Sequence, residues 1–298
     1  MARGGSFCYR SGAPAEEGSR RDGGRKAGTD KCVENRQHSR NSGRSDLKET
    51  QVTRSDDRPD LRVLVAIPAY NEQGTIEDVV RRARESLTDF DVLVVDDGSR
   101  DATAEILARL RVPTATHLCN LGYGRAIQTA IKCAISGGYD VLITLDADGQ
   151  HHPEQVLALY EAGLEQGWDL LIGSRYVETH DYSASPFGRR VGMRLFSLLV
   201  WAITGQRIYD TTSGLKVMQR SVFEALTSWH FLDFHAEAIV YLSRLGYRVG
   251  EHPITVAGRT RGESMYSLVS HLVYPLKTSL IIVLGVIQAK LTHGRRSK

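Results

Sequence analysis

The 298-residue sequence predicts an α/β protein built on a mostly parallel sheet with helices on both faces. Three observations lead there. From about residue 61, short β-branched runs alternate with amphipathic stretches. The runs are continuously apolar rather than alternating, as strands buried on both faces are. Several of them end in polar turns, which in a parallel sheet gather on one edge, where ligands bind.

The elements follow in order. Residues 62–67 (RVLVAI), closed by Pro68, form a first strand. Thr75 is placed to cap a helix whose Ile76, Val79, Val80 and Ala83 make one apolar stripe. A second strand over 90–95 ends in Asp96-Asp97-Gly98-Ser99, and Ser99 with Asp101 suits the cap of a helix over 101–110. A third strand covers 112–118, a helix 124–135, and a fourth strand 141–145, which runs straight into Asp146-Ala147-Asp148. Pro153 suits the first turn of a helix reaching about residue 166, and a fifth strand spans 170–174. Beyond it come a loop over 176–186, a helix over 187–204 with Arg189, Arg190 and Arg194 near its start, and a strand over 215–218 preceded by Asp210-Thr211-Thr212-Ser213-Gly214. A helix over 235–245 and a strand over 249–256 complete the pattern.

Three segments follow from composition: a tail over 1–60, a folded domain over 61–264 and C-terminal helices over 265–298. The tail is rich in Gly, Ser, Arg and Asp without period, so it buries too little apolar surface to offset its ordering entropy and reads as disordered. It holds 13 Lys plus Arg against 10 Asp plus Glu, whereas the remaining 238 residues are balanced. Such a balance gives no electrostatic footprint for nucleic acid. Cys8, Cys32, Cys119 and Cys133 have neither metal-ligand spacing nor disulfide density, and no continuous apolar stretch lies in the first 60 residues. Together these point to a reducing, cytosolic setting without a secretory signal.

At the C-terminus, residues 268–291 are apolar but interrupted by His271, Pro275, Lys277 and Lys290. The unbroken part, 279–289, is well short of the ~20 residues that span a bilayer. It reads as helices lying on a membrane surface, with Arg295, Arg296 and Lys298 toward anionic head groups, or as helices packed on the domain or on a second subunit.

The chemistry lies in the turns. Asp146 and Asp148, one residue apart, repel each other unless a cation sits between them; Mg²⁺ or Mn²⁺ would remove that penalty and clamp two phosphates. Alone, the same run is equally an acidic turn capping the next helix. Asp96 and Asp97 are one acid more than a cap requires and are placed to accept from a base or ribose hydroxyl. Pro68-Ala69-Tyr70-Asn71-Glu72 offers a ring for stacking and a carboxylate for ribose, although Tyr70 is equally filler. Gly122-x-Gly124 lacks the third glycine of a dinucleotide fingerprint, since Ile127 stands there, and it follows the third strand rather than the first. His151 and His152 have only hard oxygen neighbours, which argues against zinc; His151 is expected near the site and His152 in a structural role.

These motifs, with Gly173-Ser174-Arg175, Asn120-Leu121-Gly122, Asp210 with Ser213-Gly214, Glu237 and Arg259-x-x-Gly262-x-Ser264, resemble in order and spacing the family 2 glycosyltransferases of GT-A fold, and among them the dolichol- or polyprenol-phosphate sugar transferases. The likeness covers about residues 62–266. It implies an inverting transfer of a hexose from a nucleotide-diphosphate sugar, of GDP-mannose or UDP-glucose type, to a polyprenyl phosphate on the inner face of a membrane. It also implies roles for individual residues. Pro68, Tyr70, Glu72, Asp96, Asp97, Asn120, Gly122, Asp146, Ala147 and Gln150 would hold the donor. Asp146, Asp148 and Gln150 would serve Mg²⁺ or Mn²⁺, and Arg175 and Arg259 would face phosphates. A lipid phosphate, its second ionisation near ~6, barely needs a general base. A hydroxyl acceptor on a saccharide or small molecule needs one, and Glu237 or Asp210 are the candidates. A third reading is a non-catalytic nucleotide-sugar-binding subunit. Met265 departs from the lysine that often follows Ser in the polyprenol-phosphate enzymes, with Arg261 close by.

Overall fold

The computed structural model describes residues 60–179, 187–227, 234–256 and 286, within the unit Asp57–Lys298. The tail, Arg259, Met265 and the apolar stretch at 268–291 apart from Val286 lie outside the described residues.

Seven strands form one sheet: β1 (Val63–Ala69), β2 (Asp91–Asp96), β3 (Thr114–Thr116), β4 (Val141–Thr144), β5 (Leu170–Ser174), β6 (Lys216–Gln219) and β7 (Val249–Pro253), in the order β3-β2-β1-β4-β6-β5-β7. β1 pairs in parallel with β2 and β4, β2 with β3, and β5 with β7. β6 is antiparallel to both neighbours, β4 and β5. Alternating strands and helices alone give no reason to place it there. Inserted between them, it leaves β5 running the same way as β4, so both end on the same edge. The start of β6 joins them.

The strands are buried on both faces, as their apolar runs require. Leu64 and Ala66 of β1 pack with α3 (Tyr123–Ser136), α5 (Phe187–Thr204), α6 (Arg220–Leu226) and α7 (Ala236–Arg244). Val63, Val65 and Ile67 point the other way, to α1 (Ile76–Ser86), α2 (Thr103–Leu110) and α4 (Pro153–Gln166). Alternate residues of one strand thus seed two cores, each buried aliphatic contributing roughly 1.5–3 kcal/mol.

Several expectations shift. The third strand is three residues, not seven, because only Thr114–Thr116, the middle of that run, pairs with β2. Thr75 stands at the N-cap of α1, but its hydroxyl donates to the Glu72 carboxylate at 2.9 Å rather than capping. Ser99 does not cap α2 either; its Oγ accepts from the Asn71 N–H at 3.0 Å. α6 was not expected. Its Val222, Phe223, Ala225 and Leu226 are all buried, a stripe too short to stand out in sequence. Among the described residues, no helix is long and apolar enough to cross a membrane.

Candidate active site

The polar turns converge on the edge where β1, β2, β4 and β5 end. A cleft of about 500 Å³ opens there. One part of its wall is the β1–α1 turn, with Pro68, Tyr70 and Glu72; a second part is the β4–α4 turn, with Asp146, Ala147 and Asp148; Asp97, Asn120, Gly122 and Tyr123 also line it.

The first part of the wall is braced by the β2–α2 turn. Asn71, at φ +56°, accepts from the Arg100 N–H at 2.8 Å, while the Glu72 N–H donates to Thr103 Oγ1 at 2.9 Å and the Gln73 N–H to Asp101 Oδ2 at 3.1 Å. Two loops that follow different strands are thereby one rigid unit.

Asp97 also holds the protein's own backbone. Although it lines the cleft, Oδ1 accepts from the Leu121 N–H at 2.9 Å and Oδ2 from the Gly122 N–H at 2.8 Å. His117 Nδ1 lies 2.6 Å from Oδ1, and its Nε2 lies 2.8 Å from Thr129 Oγ1. Asp97 therefore moors the β3–α3 loop, presenting Asn120 and Gly122 to the cleft. Gly98 completes the mooring: at φ +70°, a Cβ there would stand 2.5 Å from the Cys119 carbonyl carbon. Asp96 is 1% exposed, binds the Ser99 N–H at 3.0 Å, and is absent from the cleft wall. Both acids thus accept from backbone N–H groups that would be costly to leave unpaired.

Asp146 sits over Gly214, where a Cβ would overlap both of its carboxylate oxygens. His151 Nε2 lies 3.7 Å away. Burial opposes ionisation of Asp146, but His151, Lys216 and His235 outweigh it and hold the carboxyl below the usual range. Asp148 Oδ1 accepts from the Gln150 N–H at 3.0 Å across a turn that Gly149 makes at φ +73°. Gln150 is not on the cleft wall. The residues fit a hard divalent cation: two carboxylates on one wall of an open cleft leave positions for phosphate oxygens and water, as Mg²⁺ and Mn²⁺ sites do. Among the described residues, no three His, Cys, Asp or Glu side chains form a complete cation cage.

Arg175 and Asp210 are brought together, but to each other. Arg175 Nε and Nη2 bind Asp210 at 2.7 and 2.8 Å, a bidentate pair in which Asp210 is fully buried. Burial opposes the charge on each, yet the pairing wins: Arg175 is raised and Asp210 lowered from its ordinary value. Glu251 supports this knot by accepting from the Tyr209 and Asp210 N–H groups, both at 2.7 Å, while burial pushes its own carboxyl up. As a bound carboxylate held low by Arg175, Asp210 is a poor base. Glu237 is 1% exposed in the first turn of α7 and is not on the cleft wall.

His151 lies beside Asp146 as anticipated, whereas His152 Nδ1 contacts Arg82 at 3.0 Å, tying α4 to α1. His117, Tyr123, Lys216 and Glu251 escaped sequence reasoning. Tyr123 stacks on His235, ring centroids 5.0 Å apart, and none of the four stands in a motif of its own.

Comparison with known proteins identifies the family and the fold. A family model for glycosyl transferase family 2 matches residues 64–227. The chain is 33% identical over 221 residues to the polyprenol monophosphomannose synthase of Mycolicibacterium smegmatis, covering 70% of this chain and 83% of that one. It is also 33% identical over 220 residues to the undecaprenyl-phosphate mannosyltransferase of Micrococcus luteus, covering 70% and 88%. The fold matches glucosyl-3-phosphoglycerate synthase of Mycobacterium tuberculosis, solved with Mn²⁺, UDP and phosphoglyceric acid, at a TM-score of 0.55 and 19% identity over 77% of this chain and 78% of that one. With this family model, these relatives and this fold, the chain belongs to glycosyl transferase family 2 and is a GT-A glycosyltransferase.

Proposed function

We propose that this glycosyltransferase moves a hexose from a nucleotide-diphosphate sugar, of GDP-mannose or UDP-glucose type, to a polyprenyl phosphate at the inner face of a membrane. The observation that carries the donor half is one cleft lined by Tyr70 and Glu72 together with Asp146 and Asp148. A nucleoside fits the first pair by stacking and hydroxyl bonding, and a diphosphate fits the second. Bound there, Mg²⁺ or Mn²⁺ would neutralise the charge that grows on the departing diphosphate. Asn120 and Gly122, moored by Asp97, close the nucleoside end against water.

In the reaction, an acceptor phosphate oxygen attacks the anomeric carbon in line, the bond from that carbon to the diphosphate oxygen breaks, and the nucleoside diphosphate leaves. A lipid phosphate is favoured over a hydroxyl because Asp210 is held by Arg175 and Glu237 is buried off the cleft wall, so neither is poised as a base. The polyprenol- and undecaprenyl-phosphate acceptors of the two mannosyl-transferring relatives support this reading. With Nε and Nη2 of Arg175 given to Asp210, Arg259 becomes the principal phosphate-facing cation of the reading. A lipid surface is supported by the outer face of α5, which exposes Val191, Leu195, Leu198 and Trp201 around Arg194. The exposed thiol of Cys119 suits a reducing compartment.

The test is thermal unfolding with UDP or GDP, with and without Mn²⁺, followed by turnover of UDP-glucose and GDP-mannose on undecaprenyl phosphate. Mn²⁺-dependent stabilisation by one nucleotide, lost in Asp148→Ala, is expected. Its absence in the wild type would sink the donor assignment; transfer only to a soluble hydroxyl would sink the acceptor assignment.

A further inference from the structure

Lys216 is an anomaly that the proposed chemistry leaves unused. It opens β6, is 2% exposed, and does not line the cleft. A lysine so buried is costly unless its ammonium is engaged. Its Nζ donates to the Ser213 carbonyl, and its charge acts on both Asp146 and Asp210.

The geometry around it points one way. β4 and β6 run antiparallel with Thr144 opposite Lys216. Two residues beyond Thr144 is Asp146, and two before Lys216 is Gly214. Thr144 Oγ1 donates to the Gly214 carbonyl at 2.6 Å, inside the protein. Lys216 holds the neighbouring Ser213 carbonyl, so the Ser213-Gly214 connector is gripped at consecutive peptides. The bare Cα of Gly214 is the surface on which the Asp146 carboxylate rests. A carboxylate on a turn otherwise has two side-chain torsions to explore; here one side of that space is filled by clamped backbone.

We propose that Lys216 is a positioning residue for the donor site, clamping the Ser213-Gly214 connector as the seat of the Asp146 carboxylate. The proposal rests on the reading of Asp146 as part of a metal-diphosphate site. Thr144 and Gly214 are the other parts of the same seat, one bonding it to β4 and the other leaving room for the carboxylate. The seat depends on β6 pairing antiparallel with β4.

The test titrates Mn²⁺ alone against the full chain, reading free Mn²⁺ by electron paramagnetic resonance, with metal-free thermal unfolding on the same samples. Wild type binds; folded Lys216→Met binds roughly 10–100-fold more weakly, the loss typical of residues that support a ligand from behind. Lys216→Arg, which keeps a donor and the charge, recovers part of the affinity. A stable Lys216→Met with wild-type affinity overturns the proposal and leaves the donor site standing. Should Lys216→Met not fold, Gly214→Ala displaces the carboxylate from the other side, and unchanged Mn²⁺ affinity in that folded variant also overturns it. A wild type that binds no Mn²⁺ removes the metal-site reading and the proposal together.

Discussion

Arg175 and Asp210 show how far a residue's role depends on its partner. Both stand in motifs that face substrate by resemblance, yet the bidentate contact commits them to each other inside the protein. Removing one partner strands a buried charge, so Arg175→Met should cost about 3–5 kcal/mol in denaturant unfolding. Because Asp210 is held below its ordinary value, its contribution is complete above the unfolded value of about 3.9 and is lost as pH falls through its lower folded value. The stability gap between wild type and Asp210→Asn should therefore be constant near neutrality and narrow in acid. Gly98 makes a different point: Ala there meets both a left-handed backbone and the Cys119 backbone. Gly98→Ala should lose about 1–3 kcal/mol of stability. By calorimetry it should weaken nucleotide binding while Mn²⁺ affinity holds, since it displaces the loop at the nucleoside end.

At the scale of elements, α5 joins two surfaces. Its inner face buries Met193, Phe196 and Val200, with Met193 against Tyr176 beside Arg175, while its outer face leaves Leu198 and Trp201 to solvent. Leu198→Glu with Trp201→Glu should change stability by less than about 1 kcal/mol, as surface substitutions do. The same pair should reduce sedimentation with phosphatidylglycerol vesicles; unchanged sedimentation would remove α5 from the membrane reading. The bounds of α4, α5 and β5 were legible from sequence because Pro153, a long apolar stripe and a compact apolar run mark them. β3 and α6 were not, since each is short and owes its state to neighbours: β3 to pairing with β2, α6 to a buried face.

For the whole molecule, every described residue lining the cleft lies between Pro68 and Asp148, and the two cores are seeded by the same strands. A chain of residues 61–298 should then keep the nucleotide- and Mn²⁺-dependent rise in unfolding temperature; its loss would give the first 60 residues a part in the site. The sequence by itself determined the α/β class, the sheet buried on both faces and the turns that carry Glu72, Asp97, Asp146 and Asp148, because strand burial and polar turns are written in local residue order. Only the tertiary structure decided that β6 runs antiparallel between β4 and β5, that Asp97 moors a loop, that Asp210 belongs to Arg175 and that Asp146 rests on Gly214. The physical reason is common to all four: each is a contact between segments distant in the chain. Hydrogen bonds, ion pairs and close packing choose such partners by proximity in space, which residue spacing does not encode.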